Sequence, residues 1–359
     1  MKKINFIQTL RGIAAMLVVL YHIREIIVIN GIPVGEYLFA SGAAGVDLFF
    51  MISGFIMVYS TQQMEGGVQD TKRFFINRLI RVLPLYIIAT VGFIYITQGS
   101  QWFSAPGHFK QLAKAFLFYP ANAVDGAPFY GYPPLYVGWT LNYEMFFYLL
   151  FGLSLLGGRW RWWILSGLSA ILLVIIPLLH GSFTINANTD QHYSIGYLNL
   201  ITNSFIYEFL FGAVLAAWYN SKIVLPKVYA GWLLVAGIGL YAWQYFSFVR
   251  YGHGPTHWGL STALLLAAIV TYDKTSSIRV APVWITLGNI SYSLYLLHPL
   301  VKSYMPQFFD RYQQEQLALT PSYVFLYVTL TVLVSLISYA CIEQGLGNLL
   351  KKKMYHWFL

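Results

Sequence analysis

The chain has 359 residues, 58% of them hydrophobic and 10% charged, where a soluble domain carries about 25% charged residues. Several runs approach the ~18 to 20 apolar residues that span a bilayer as a helix, which excludes one soluble core and makes the class an all-α, polytopic integral membrane protein. The net charge of +9 is scattered in short clusters between apolar runs, which argues against nucleic acid as a partner, and the single cysteine, Cys341, excludes an internal disulfide and a thiolate metal cluster.

In chain order, ten spans are expected, at about 4–24, 41–61, 82–98, 136–157, 162–180, 198–219, 229–247, 257–272, 282–300 and 321–344. The first follows Met1-Lys2-Lys3 without a small-residue cleavage site and is read as a retained span, not a removed signal peptide. An even number of spans puts both termini on one side. That side then holds Lys2, Lys3, Lys72, Arg73, Arg78, Arg81, Arg159, Arg161, Lys222, Lys227, Lys274, Arg279 and Lys351 to Lys353. The other holds Arg24, Lys110, Lys114, Arg250, Lys302 and Arg311. By the positive-inside rule both termini are expected in the cytoplasm. The whole chain, 1–359, is expected to be one transmembrane domain.

Ionisable residues inside spans are costly and mark pairing or function. In the first span, "LRGIAAMLVVLYH", Arg11 and His22 are eleven residues apart, which on a helix separates them by only about 20° in rotation and about 16 Å along the axis. A lone arginine at a span end is a snorkelling anchor; one sharing a face with a histidine reads as part of a functional stripe. "GVDLFFMISGF" opens the second span with Asp47, and its Gly54 permits close helix contact. "KRFFINRLIRVLPLYI" brings Arg73, Arg78 and Arg81 to the start of the third. Arg78 and Arg81, three residues apart, can point together at a phosphorylated ligand, or simply report positive-inside bias. The long aromatic, Gly- and Pro-rich loop before the fourth span is either a partial lid or an interface belt. "WTLNYEMFFYLLF" places Glu144 in the outer half of the fourth span, and Glu208 falls near the middle of the sixth. His253 and His257 in "GHGPTH" have metal-like spacing, but the Gly and Pro between them argue for a turn, so no metal is expected. The polar ninth span, "NISYSLYLLHPL", carries Tyr295 and ends near His298. No nucleophile elbow, phosphate-binding glycine loop or zinc helix motif is present.

Five of these segments in order, "LRGIAAMLVVLYH", "GVDLFFMISGF", "RLIRVLPLY", "WTLNYEMFFYLLF" and "ISYSLYLLHPL", resemble the acyltransferase 3 family of bacterial membrane O-acyltransferases. The resemblance covers nearly the whole chain. It implies a ten-span core in the bacterial inner membrane that moves an acyl group, commonly acetyl from cytoplasmic acetyl-CoA, onto exopolysaccharide, O-antigen or lipid-linked oligosaccharide. It carries the family's Arg-x10-His pair onto Arg11 and His22 and its Arg-x-x-Arg motif onto Arg78 and Arg81, and it singles out Glu144. The chain is similar to the standalone type, without an appended SGNH hydrolase-like domain. In "CIEQGLG" Glu343 is kept, but the basic residue and proline that often follow in the family are missing.

Acyl transfer from a thioester needs a base for the acceptor hydroxyl, a grip on the donor and stabilisation of the oxyanion. His22 suits the base, with Glu144 or Asp47 to orient or charge its imidazole and His298 as the rival base. Arg11, Arg73, Arg78 and Arg81 suit the CoA phosphates. Glu208, Tyr295 and His298 are candidates for supporting these groups or binding the acceptor. Acetyl-CoA enters as donor substrate, and no permanently bound cofactor is expected. The competing classes are a transporter or flippase using the same buried charges without covalent change, and a glycosyltransferase using polyprenyl-linked sugars.

Overall fold

The structure, a computed structural model, describes residues 4–122, 125–249, 252–311 and 321–358. Lys2, Lys3 and Arg250, counted above for orientation, lie outside them, as does the side chain of Arg311. Among the described residues the chain is helical, with no strand. The main helices are α1 Asn5–Tyr21, α2 Gly45–Ser60, α3 Val68–Gln98, α4 Trp139–Leu155, α5 Arg161–Ala170, α6 Ile206–Asn220, α7 Lys227–Ser247, α8 Leu260–Ser276, α9 Pro282–Asn289, α10 Ser291–Arg311, α11 Pro321–Ser338 and α12 Gly347–Phe358.

Each of the ten expected segments coincides with helix. Among the described residues, five stretches are long and apolar enough to cross a membrane by themselves: Val34–Ser60, Val68–Gln98, Gly158–His180, Gly196–Asn220 and Ser322–Phe358. The sixth segment is interrupted at 202–205, between helices Gly196–Ile201 and Ile206–Asn220, and two others differ from expectation. The third begins at Val68, well before residue 82, because Asp70 accepts the Gly66 amide hydrogen at 2.9 Å and secures the helix start. The ninth breaks after Gly288 and Asn289, both poor helix formers, so α9 and α10 are separate and α10 runs on past residue 300.

Helix α2 packs most extensively on α6. A methyl group on Gly54 would come within 1.9 Å of the Phe209 carbonyl oxygen, and one on Gly212 within 1.8 Å of the Met51 carbonyl oxygen. The two backbones therefore touch, as small residues allow between helices that gain nothing from excluding water. Around this seam Phe50 and Phe147 each approach Phe209 with ring centroids 4.6 Å apart. Helix α1 lies among α2, α9 and α10 rather than at the rim. Arg11 is consequently buried in protein, which is the condition for tolerating it in an apolar segment.

The loop before α4 folds over one end of the bundle. Its Ala127 amide donates to Asp190 at 2.6 Å, Tyr130 accepts from Asn203 at 3.0 Å, and the Tyr143 hydroxyl of α4 donates to the Pro128 carbonyl at 2.8 Å. These bonds fix the second half of the loop to the rest of the chain, while Phe103 and Phe109 nearer its start stay exposed.

Candidate functional site

Three cavities follow one another through the bundle and share wall residues. The first, of about 450 Å³, is a mouth lined by Ser60, Asn77, Arg78, Arg81, Glu343 and Lys351 among others. Arg78, Arg81 and Ile56 also line the second, of about 300 Å³, together with Arg11, Ser53, Glu144 and Tyr148. Val46 and Tyr295 then belong to both the second cavity and the third, of about 420 Å³, whose wall includes His22, Tyr136, Trp139, His253 and Lys302. We call the second the arginine chamber and the third the histidine chamber.

The arginine chamber gathers charge from helices distant in sequence. Arg11 comes from the first half of α1, Arg78 and Arg81 from one turn of α3, and Glu144 from α4. Glu144 accepts from Ser53 at 2.9 Å and from Tyr148 at 2.5 Å. Arg78 donates to Ser60 at 2.9 Å, and its guanidinium lies over the Phe74 and Tyr148 rings at 5.4 and 5.3 Å. Arg11 reaches Gln8 at 3.4 Å and is buried. Three guanidinium groups face two carboxylates, Glu144 and, at the mouth, Glu343, which still leaves positive charge in excess and suits an anion with several oxygens. Arg73 is exposed on the first turns of α3, away from all three cavities.

The histidine chamber is built differently. The carbonyl of Val18 accepts from Nδ1 of His22 at 2.8 Å, so Nδ1 carries the hydrogen and Nε2 the lone pair. His298 stands beside it with ring centroids 4.8 Å apart and bonds the Leu294 carbonyl through Nδ1 in the same way. Lys302 donates to the His22 carbonyl oxygen, placing a cation at the C-terminal end of α1. Tyr136 faces the His22 ring at 5.4 Å.

Tyr295 forms the partition. Its hydroxyl lies 2.8 Å from Thr140 Oγ1 and donates to the Val137 carbonyl at 2.9 Å, while its ring packs on Phe49 at 5.9 Å and toward His298 at 6.2 Å.

The shared face of α1 thus delivers Arg11 and His22 to two different chambers. Neither acid expected to charge His22 touches it. Glu144 belongs to the arginine chamber. Asp47, fully buried, accepts from Nδ1 of His253 at 2.7 Å and from the Gly254 amide at 2.9 Å, and Glu208 lies buried beside it. The reason is register. On α2, Asp47 stands six residues before Ser53, the α2 residue that meets Glu144, and α6 and the 252–259 segment enclose it there. His253 is the site residue that sequence reasoning missed; its only signal was "GHGPTH", weighed as a metal spacing and set down as a turn.

Residues 4–340 match the acyltransferase domain of the acyltransferase 3 family. Among similar chains, the exopolysaccharide production protein ExoZ of Rhizobium meliloti (strain 1021) is 28% identical over 262 residues, 72% of this chain and 76% of that one. A Staphylococcus aureus (strain COL) protein named as an O-acetyltransferase is 26% identical over 372 residues, covering 96% of this chain but 57% of that one. A protein of Acidianus two-tailed virus named as an acetyltransferase is 23% identical over 328 residues, 82% of each. No solved structure matches the chain. With a match across nearly its full length, an all-helical bundle and several helices apolar enough to cross a bilayer, the chain belongs to the acyltransferase 3 family of membrane acyltransferases.

Proposed function

We propose that the protein is an O-acyltransferase that carries an acyl group, acetyl in the first instance, from cytoplasmic acyl-CoA to a hydroxyl of an extracytoplasmic or lipid-linked glycan. The observation that carries this reading is the order of the cavities: a basic mouth, an arginine chamber, a tyrosine partition and a histidine chamber. CoA phosphates would be held by Arg78 and Arg81, with Arg11 further in, and the slender pantetheine arm would pass Tyr295 to bring its thioester to His22. The acceptor hydroxyl then attacks the thioester carbonyl as His22 Nε2 takes its proton. The carbon–sulfur bond breaks, and the imidazolium returns that proton to the leaving thiolate, giving ester and free CoA. On this reading the ten spans hold with both termini and the arginine mouth on the cytoplasmic side of a bacterial inner membrane. The names of the relatives, one tied to exopolysaccharide production and two to acetyl transfer, support the substrate class.

A continuous row of cavities also suits a transporter or flippase, and one experiment separates the two. Purified protein is incubated with labelled acetyl-CoA, and the surface glycans of a deletion strain are analysed for lost ester. Release of free CoA and loss of glycan acetyl are expected. Binding without turnover, with the glycan unchanged in the deletion strain, would replace the enzyme with a carrier.

A further inference from the structure

The histidine chamber holds a second imidazole that the reaction above does not use. His253 sits in its wall near Trp139 and Phe129, with ring centroids 5.6 and 6.1 Å away. Its backbone is clamped by Asn188, whose side-chain amide donates to the His253 carbonyl at 2.8 Å and accepts its N–H at 3.2 Å. Its ring is fixed by Asp47, which is 0% exposed, whereas the His253 side chain keeps 10% of its surface. Asp47 covers the Nδ1 edge, so the surface left to the chamber belongs to the edge that carries Nε2. A carboxylate that accepts from Nδ1 leaves Nε2 as an acceptor. A ring tied to a buried acid that is itself held by the Gly254 amide, on a backbone clamped by Asn188, is more than a turn requires; it is how a hydrogen-bonding group is fixed in direction.

His22 and His253 thus present two imidazoles to one cavity whose walls between them include Tyr136 and Trp139. A sugar ring offers matching chemistry: adjacent hydroxyls that donate, and an apolar C–H face that packs on aromatic rings. We propose that the Asp47–His253 pair binds the hydroxyl next to the one acylated, and so selects which hydroxyl of a vicinal diol meets His22. His253 is then the residue that sets the position of the ester, and the acceptor is a sugar with two neighbouring free hydroxyls. This rests on reading the histidine chamber as the acceptor's side.

The test uses a strain lacking the gene, complemented with the wild-type chain or with His253→Asn. Asparagine keeps a donor near Asp47 but removes the nitrogen facing the chamber. The probe is the strain's own surface polysaccharide, whose ester content and ester positions are read by NMR, and the purified variant is checked for folding and CoA affinity. Loss of one such hydrogen bond is expected to lower ester content by about tenfold and to spread the remaining esters over both neighbouring hydroxyls, with CoA affinity retained. If His253→Asn misfolds or leaves no ester to locate, His253→Gln, which still reaches the chamber but loses its tie to Asp47, supplies the positional reading. Esters confined to the single wild-type position, at whatever level, overturn the proposal and leave the pair as a structural tie. A wild-type strain without esters, or wild-type protein that does not bind CoA, would instead overturn the reading of the chambers on which it rests.

Discussion

The arginine and histidine chambers share the wall formed by Val46 and Tyr295, yet Arg78 and Glu144 on one side and His22 on the other are held by different means. In the first, charged side chains are tied to other side chains: Glu144 to Ser53 and Tyr148, Arg78 to Ser60. In the second, His22 is tied to the backbone carbonyl one helical turn behind it, as is His298, buried beside it outside the cavity wall. A guanidinium has five donors and can be anchored through one while presenting others to a ligand. An imidazole has two nitrogens, so a carbonyl on Nδ1 settles which nitrogen is left to act. On the proposed function, the difference separates a cavity that holds a charged donor from one that moves a proton.

The comparison breaks most sharply at His22. His22→Ala is expected to reduce transfer by ~10² to 10⁴, the usual loss for a positioned base, while CoA affinity stays as in the wild type. Both are measured on the same monodisperse protein. Near-normal turnover would remove His22 from the chemistry and make His298→Ala the next variant to examine.

A smaller effect of the opposite kind is expected in the arginine chamber. Arg78→Ala and Arg81→Ala should each weaken CoA binding by about 1.5 to 3 kcal/mol, the range for a hydrogen bond to a charged group. Arg81→Lys should weaken it too, because a point charge does not reproduce the planar fork. Titration calorimetry with CoA decides; unchanged affinity in folded variants would reduce the pair to a topology signal. Arg73→Ala, on an exposed turn outside the cavities, is the control and should leave affinity alone.

The partition itself gives a milder test. Tyr295→Phe keeps the ring but removes the contacts to Thr140 and Val137, each worth about 0.5 to 1.5 kcal/mol net. Expected is a modest loss of thermal stability and a change in turnover with little change in CoA affinity. A drop in affinity as large as that of Arg81→Ala would mean that the two chambers are not separate functions. The smallest effect belongs to Cys341, which is exposed. Cys341→Ser should be silent and, with a single cysteine added at the exposed position 72, should report the side on which the arginine mouth opens. Labelling of that cysteine by an impermeant reagent in intact spheroplasts would reverse the proposed orientation.

Much of this was legible before any coordinates. Apolar runs located the helices, because in lipid a backbone must satisfy its own hydrogen bonds. Three-residue spacing put Arg78 and Arg81 into one cavity, and the absence of a side chain at Gly54 announced a close contact. Helical rotation correctly put Arg11 and His22 on one face, but rotation carries no knowledge of what stands between them. It could not foresee that Tyr295, from a helix near the other end of the chain, divides that face in two. The partner of Asp47 was hidden for the same reason: His253 lies 206 residues away, and periodicity within one helix does not measure distance between two.

Tyr295 has one more consequence. Two cavities that carry charged side chains lie end to end in a protein that spans a membrane, and a joined aqueous path between them would be a pore. Each elementary charge crossing 100 mV releases about 2.3 kcal/mol, so such a pore would drain the cell's energy store. Phe49 and Val46 surround the tyrosine with apolar surface, and its hydroxyl is engaged by the protein itself. On the proposed function Tyr295 would then be an insulator as much as a wall: a thin, uncharged chain can slide past a ring in such a setting, whereas a hydrated ion would have to shed its water first.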